Sequence, residues 1–149
     1  MTRREQAMDN FMKGYNCCQS VALAFKDILD IDEETLGKIS CSFGGGFSRL
    51  REVCGSVSGM CMVMSLLYGY SGPETGEVKF EQYARFQEVA KEFEEKNGSL
   101  ICRELLNLDV KHDTPQASAR TSDYYAKRPC KELIGDAAEI LEKYINSHK

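Results

Sequence analysis

The apolar positions of this chain repeat at intervals of three and four residues over most of its length. This spacing is typical of helices that bury one face. The longest periodic segments lie at 2–13, 17–29, 32–41, 77–96 and 130–145. No segment alternates apolar and polar residues as a half-buried strand does. The pattern therefore predicts an all-α fold, an irregular bundle of five or six helices.

One further segment, 57–67, is apolar on nearly every face. A helix of this kind is either a membrane span or the centre of a bundle. The segment is shorter than the roughly 20 apolar residues that a bilayer requires. We therefore predict a buried central helix over about residues 52–70. Gly55 and Gly59, four residues apart, would allow a neighbouring backbone to approach it closely.

Two segments without periodicity separate the predicted helices. Gly44, Gly45 and Gly46 either turn the chain or present backbone N–H groups to an anion, and without a Walker-type lysine the turn is the favoured interpretation. The polar segment 109–127 is long for a structureless loop in a compact domain, which is typical of functional loops. It contains His112, which we interpret as a solvated residue.

Length and charge narrow the classes of function. With 149 residues the chain suits one domain, an all-helical and cysteine-rich unit over residues 1–149. The net charge of -4 gives no electrostatic basis for binding nucleic acid or an anionic membrane. The polar N-terminal segment does not resemble a signal peptide, so we expect a cytoplasmic location. We see no strong interface, although a homodimer suits so small a protein.

The chain has seven cysteines, and an odd number argues against a fully paired disulfide framework. In a reduced compartment such an excess indicates metal binding or redox activity. The alternative for any single cysteine is that it packs as a small apolar residue.

Four cysteines fall in the first turn of a predicted helix: Cys17, Cys54, Cys102 and Cys130. A helix start supplies free N–H groups and the positive end of the helix dipole, and both stabilise a thiolate. Each also has cationic or polar neighbours in sequence, such as Arg51 before Cys54. If the four helix starts converge, they form an electropositive pocket lined with sulfur. Such a pocket would hold a soft cation or an iron–sulfur cluster, or act as a reactive thiol centre.

The other three cysteines fit this arrangement less well. Cys61 lies two turns beyond Cys54, about 10 Å away and too far to share one metal ion, so we predict that it packs in the core. Cys41 lies at a helix C-terminus, where the dipole opposes a thiolate. Cys18 lies on the stripe adjacent to that of Cys17, and the pattern does not choose which of the two faces inward.

The chain resembles a known family, the small redox-active proteins named for the cysteine pattern C-GCAxxG-C-C. The matching segments are GYNC at 14–17, FGGGF at 43–47, VCGSVSG at 53–59, GSLICREL at 98–105 and CKELIGDAAEIL from 130. The four cysteines that define the family fall on Cys17, Cys54, Cys102 and Cys130. One departure is Ser56, where the family usually has alanine.

The resemblance implies redox activity, and four hypotheses describe it. In the first, three or four of these cysteines ligate an iron–sulfur cluster, in the form [2Fe–2S], and the protein transfers electrons to an unknown redox partner. Gly45, Gly46, Gly55 and Gly59 are then the candidate cofactor-binding glycines. In the second, Cys54 is an exposed nucleophile in a thiol–disulfide cycle, and Cys17 or Cys130 resolves it. The third is a structural zinc site, and the fourth is a helical interaction protein without a cofactor.

Overall fold

The structure is a computed structural model that describes all residues, 1–149. It contains eight α-helices and no β-strands. The helices are α1 (Arg3–Met12), α2 (Cys17–Leu23), α3 (Glu33–Ser40), α4 (Gly55–Tyr68), α5 (Gly76–Asn97), α6 (Cys102–Leu105), α7 (Ser122–Lys127) and α8 (Cys130–Ser147). Six of them have seven residues or more, which confirms the prediction of an all-α bundle of five or six helices. None of the eight is long and apolar enough to cross a lipid bilayer.

Local capping explains where most helices begin. Asn16 accepts a hydrogen bond from the backbone of Gln19, whose side chain bonds the Asn16 backbone in return. Asp32 caps α3 in the same way, by accepting from the backbone N–H of Thr35. Gly98 ends α5 with a φ of 91°, a left-handed value that glycine adopts without strain. These three helix ends agree with the predicted segments 17–29, 32–41 and 77–96.

Two predicted boundaries differ in the structure. The segment 17–29 is not one helix, because α2 ends at Leu23 and a 3-10 turn, Lys26–Ile28, follows it. Ile28, an apolar residue of that predicted helix, is 40% exposed. The polar segment 109–127 is not wholly irregular, because its last residues form the short helix α7.

Helix α4 has the central position that the sequence predicts. Its first half is buried, including Val57, Met60 and Val63, and it packs against α2. A Cβ atom placed on Gly59 would lie 2.8 Å from Cβ of Val21, so the predicted close approach of a neighbouring helix is present. The second half of α4 opens to one side, where Leu66 is 42% exposed.

Backbone hydrogen bonds tie the start of α4 to the start of α6. The N–H of Cys54 donates to Leu100 O at 2.8 Å, and the N–H of Cys102 donates to Glu52 O at 2.6 Å. The same two segments form an isolated antiparallel bridge at Val53 and Ile101. Two helix starts that are distant in sequence are thereby fixed side by side.

Candidate functional site

The four cysteines at helix starts line a single cavity of about 370 Å³. Cys17, Cys102 and Cys130 are the first residues of α2, α6 and α8, and Cys54 is the residue before α4. Their predicted convergence is therefore present in the structure. Cys17 is half-buried, whereas Cys54, Cys102 and Cys130 are buried.

Glycine makes this convergence sterically feasible. A Cβ atom on Gly55 would lie 3.0 Å from Cβ of Cys17, so the starts of α2 and α4 meet only because that Cβ is absent. The triple-glycine segment Gly44–Phe47 is a turn, since Gly45 and Gly46 have φ values of 68° and 70°. The favoured interpretation of this segment as a turn agrees with the structure.

The four glycines that we predicted to bind a cofactor separate into two pairs. Gly45 and Gly55 line the cavity. Gly46 does not, because it packs behind Cys102, whose Cβ lies 2.7 Å from the position that a Cβ of Gly46 would take. Gly59 does not either, because it faces α2 one turn further along α4. In this structure, Gly46 and Gly59 therefore pack against neighbouring elements.

Cys17 and Cys130 form a pair within the cavity. The pKa of Cys17 is lowered to about 6, chiefly by hydrogen bonding from the Cys130 side chain. The backbone N–H groups of Gly45 and of Cys17 itself, and the positive charge of Arg120, act in the same direction against the effect of burial. The same interaction raises the pKa of Cys130 far above its ordinary value. The pair therefore holds one proton and one negative charge over a wide pH range.

Cys54 and Cys102 are held as neutral thiols. Burial raises the pKa of Cys54 to about 12, and the charge of Cys17 adds to this effect. Burial also raises the pKa of Cys102, against the opposing effect of Arg51, whose Nη1 lies 3.5 Å from Cys102 Sγ. The prediction that Cys54 is exposed is wrong, because the residue is only 5% exposed.

A loop folds over the cavity and is fastened by arginines. Arg49 and Arg51 both pair with Asp113, at 3.2 and 3.0 Å, and Arg49 also donates to Thr114 O at 2.8 Å. Arg49 and Arg51 have positive φ values of 70° and 59°, which non-glycine residues adopt rarely. The segment after the triple glycine thus has a strained backbone that directs two guanidinium groups toward Asp113.

Sequence reasoning missed several residues of the site. Arg49, Ser56, Arg120 and Tyr124 line the cavity, and Asp113 holds its covering loop. The unusual length of the polar segment 109–127 was the only signal that pointed to this loop. Of the cations that are near cysteines in sequence, Arg51 and Arg128 line the cavity. Arg103 and Lys127 instead pair with Glu52 and Asp123.

The remaining sulfur and imidazole groups lie apart from the Cys17–Cys130 pair. Cys18 is fully buried with its Sγ 3.8 Å from the sulfur of Met62, so Cys18 faces the core and Cys17 faces the cavity. Cys41 is exposed at the rim of the cavity. Cys61 is half-buried on the open side of α4. His112 is exposed and lies 3.5 Å from Glu52, as expected for a solvated residue.

The donor groups do not form a site for a single metal ion. No three His, Cys, Asp or Glu side chains are placed so that they could hold one. The tetrahedral zinc site of the third hypothesis needs four ligands around one ion, and this arrangement does not supply them.

The comparisons with known proteins give one match. The model of a family described as "Putative redox-active protein (C_GCAxxG_C_C)" matches residues 15–144. The matched range contains the four cysteines of the cavity. No curated protein and no solved structure matches the chain.

Proposed function

The chain belongs to the C_GCAxxG_C_C family, and we propose that its redox centre is the Cys17–Cys130 pair, which cycles between dithiol and disulfide. One observation carries this proposal: two cysteines from opposite ends of the chain, each the first residue of a helix, line the same cavity. The effect of Cys130 on the pKa of Cys17 agrees with it. A thiolate that accepts a hydrogen bond from a second thiol is the arrangement of an attacking and a resolving cysteine.

The chemistry of the cycle balances with a disulfide as the oxidant. The Cys17 thiolate attacks one sulfur of a substrate disulfide, so that a mixed disulfide forms and one substrate thiolate leaves. The Cys130 thiol gives its proton to a departing thiolate and attacks Cys17 Sγ, which releases the second substrate thiol. Two electrons pass from the cysteine pair to the substrate. A dithiol reductant then restores Cys17 and Cys130.

The positions of the two sulfurs favour these roles. Cys17 is the half-buried member of the pair, so an incoming sulfur reaches it first. Cys130 is buried behind it and keeps its proton until the first exchange has removed the negative charge of Cys17. Cys54 and Cys102 are then neutral neighbours that exclude water, rather than participants.

The test is to oxidise the fully reduced protein with 2-hydroxyethyl disulfide and to map the products by mass spectrometry. We expect a single intramolecular bond, Cys17–Cys130. Cys17→Ser should abolish it, Cys130→Ser should trap a mixed disulfide on Cys17, and Cys61→Ser should leave the reaction unchanged. A bond between other cysteines, or none at all, would refute the proposal.

A second candidate function is electron transfer through an iron–sulfur cluster. The observation that favours it is the presence of four cysteines around one cavity, since a cluster contains several metal ions and spreads its ligands more widely than a single ion does. When bound, the cluster would supply one-electron chemistry. Cys54, Cys102 and Cys130 would each have to lose the proton that they hold in this structure, so cluster assembly would release protons.

Anaerobic purification followed by visible spectroscopy and analysis of iron, sulfide and zinc separates the two candidates. A brown protein with acid-labile sulfide supports the cluster, and Cys102→Ser should then remove the bound iron. A colourless protein that still forms the Cys17–Cys130 bond supports the thiol pair, and Cys102→Ser should then leave bond formation intact. Cys102→Ser has different effects under the two candidates, because Cys102 is a cluster ligand in one and takes no part in the reaction in the other.

A further inference from the structure

The cysteine cavity has an excess of positive charge on its wall. Among the residues that line it are four arginines, and there is no aspartate or glutamate: Arg49, Arg51, Arg120 and Arg128. This contrasts with the chain as a whole, whose net charge is -4. A cleft lined by one sign of charge concentrates ions of the opposite sign.

Only two of these arginines have an anionic partner. Asp113 pairs with both Arg49 and Arg51. Arg120 donates to the backbone oxygens of Phe11 and Tyr15 and lies over the Phe11 ring, so it contacts no carboxylate.

Arg128 has fewer partners than Arg120. Its guanidinium lies 5.6 Å from the centre of the Tyr124 ring, and its side chain makes no hydrogen bond and no ion pair. The residue is half-buried, and its five N–H donors are free to meet an acceptor in the cavity. An anion bound in the cavity would supply it.

A second and independent observation comes from Ser56. This residue also lines the cavity and is 1% exposed, and the sulfur of Cys54 is the only group that its hydroxyl is near enough to bond. Buried hydroxyls are normally paired. The wall of the cavity thus offers a guanidinium without an anionic partner and a buried hydroxyl that can accept or donate a further hydrogen bond.

The geometry points to a binding site for a small organic anion, and we propose that the substrate of the Cys17–Cys130 pair is an anionic low-molecular-weight disulfide. Its acidic group would lie against Arg128 and Arg120, and its sulfur would face Cys17. The inference rests on the proposed function. A volume of about 370 Å³ is in the range of small-molecule sites. The exchange is the one already described: the substrate disulfide becomes two thiols and the cysteine pair becomes a disulfide.

The experiment compares three symmetric disulfides that differ mainly in charge: 3,3′-dithiodipropionate, 2-hydroxyethyl disulfide and cystamine. The rate of formation of the Cys17–Cys130 bond is measured for each and divided by its rate with free 2-mercaptoethanol, which corrects for the leaving group. We expect the corrected rate to be at least about tenfold higher for the dianion than for the dication, and this ratio to fall as salt is added.

Two arginine variants test where the preference arises. Arg128→Gln should lower the rate with 3,3′-dithiodipropionate at least about threefold more than it lowers the rate with the neutral disulfide. Arg85→Gln is the matched control, because Arg85 lies over the Tyr68 ring at 5.7 Å, away from this cavity. Equal corrected rates for the three disulfides, or a preference that Arg128→Gln does not reduce, would overturn the inference.

A measurement of anion binding to a protein that cannot react separates this inference from the proposed function. If the neutral disulfide reacts and charge has no effect, only the inference fails. If no disulfide reacts, the proposed function fails, and the Cys17→Ser protein then decides the inference. A saturable rise in its Tm with 3,3′-dithiodipropionate that is absent from the Cys17→Ser, Arg128→Gln double variant supports an anion site. No rise overturns it.

Discussion

The lowered pKa of Cys17 makes a prediction that needs neither a substrate nor a partner. Alkylation of Cys17 by iodoacetamide should follow a titration curve with its midpoint near pH 6. Replacing Cys130 by alanine removes the largest cause of the lowered pKa, so the midpoint should move upward. In that variant the N–H of Gly45 and the charge of Arg120 still lower the pKa of Cys17. Without Cys130, they offset less of the increase that burial causes.

The alkylation rate of Cys17 relative to an ordinary thiol follows from two effects of opposite sign. With a pKa of about 6, Cys17 is about 90% thiolate at pH 7, whereas a thiol at the ordinary value of 9.0 is only about 1% thiolate. The nucleophilicity of a thiolate falls as its pKa falls, and a shift of about three units costs roughly 15- to 30-fold. At pH 7 the net gain is therefore only about three- to sixfold. At pH 9 the sign reverses, and Cys17 should react about tenfold more slowly than an ordinary thiol.

The diagnostic result is that Cys17 reacts faster than an ordinary thiol at pH 7 and more slowly at pH 9. A rate at one pH alone does not test the reasoning. The assay is a short pulse of iodoacetamide at each pH between 5 and 10, followed by acid quenching and peptide mapping by mass spectrometry. The exposed thiol of Cys41 is an internal reference in the same sample. A midpoint near 9 for Cys17, or a midpoint that Cys130→Ala leaves in place, would refute the reasoning.

Three further predictions concern the fold around the site. Gly59→Ala should lower the free energy of unfolding in urea by about 1–3 kcal/mol, because the new methyl group meets α2, whereas Gly76→Ala, with no atom within 4 Å, should change it by no more than about 1 kcal/mol. Asp113→Asn should loosen the loop over the cavity, and limited proteolysis should cut that loop faster than in the parent protein. Phe93→Ala should cost about 3–5 kcal/mol in urea denaturation because the ring is fully buried, whereas Phe80→Ala on the same helix, 73% exposed, should stay within about 0.5 kcal/mol.

Local chemistry made the helix boundaries predictable. A capping side chain and a glycine stop act within four residues of the position they define, so Asn16, Asp32 and Gly98 could be identified from the sequence. The end of α2 at Leu23 could not. The residues that follow it are compatible with a helix, and Phe25 nonetheless leaves the helical geometry and is fully buried in the core. Tertiary packing overrides propensity there.

The loop over the cavity shows a different limit. Its position depends on Arg49 and Arg51, which reach Asp113 across more than 60 residues of sequence. No periodicity marks such a contact, since it depends on a strained backbone that turns the side chains of Arg49 and Arg51 the same way. The sequence indicated that the segment 109–127 has a role, but could not indicate which elements it covers.

Among the four cysteines, the same separation between local and tertiary causes decides which one carries the charge. All four lie at helix starts and share the dipole that stabilises a thiolate, so the dipole cannot distinguish them. Burial distinguishes Cys54 and Cys102 from Cys17, because it raises the pKa of both thiols and so favours their neutral form. Cys17 alone has a thiol donor beside it, supplied by a helix at the other end of the chain. The lowered pKa of Cys17 is therefore a product of the packing of α2 against α8, and a change that separates these helices should raise that pKa even where every cysteine is retained.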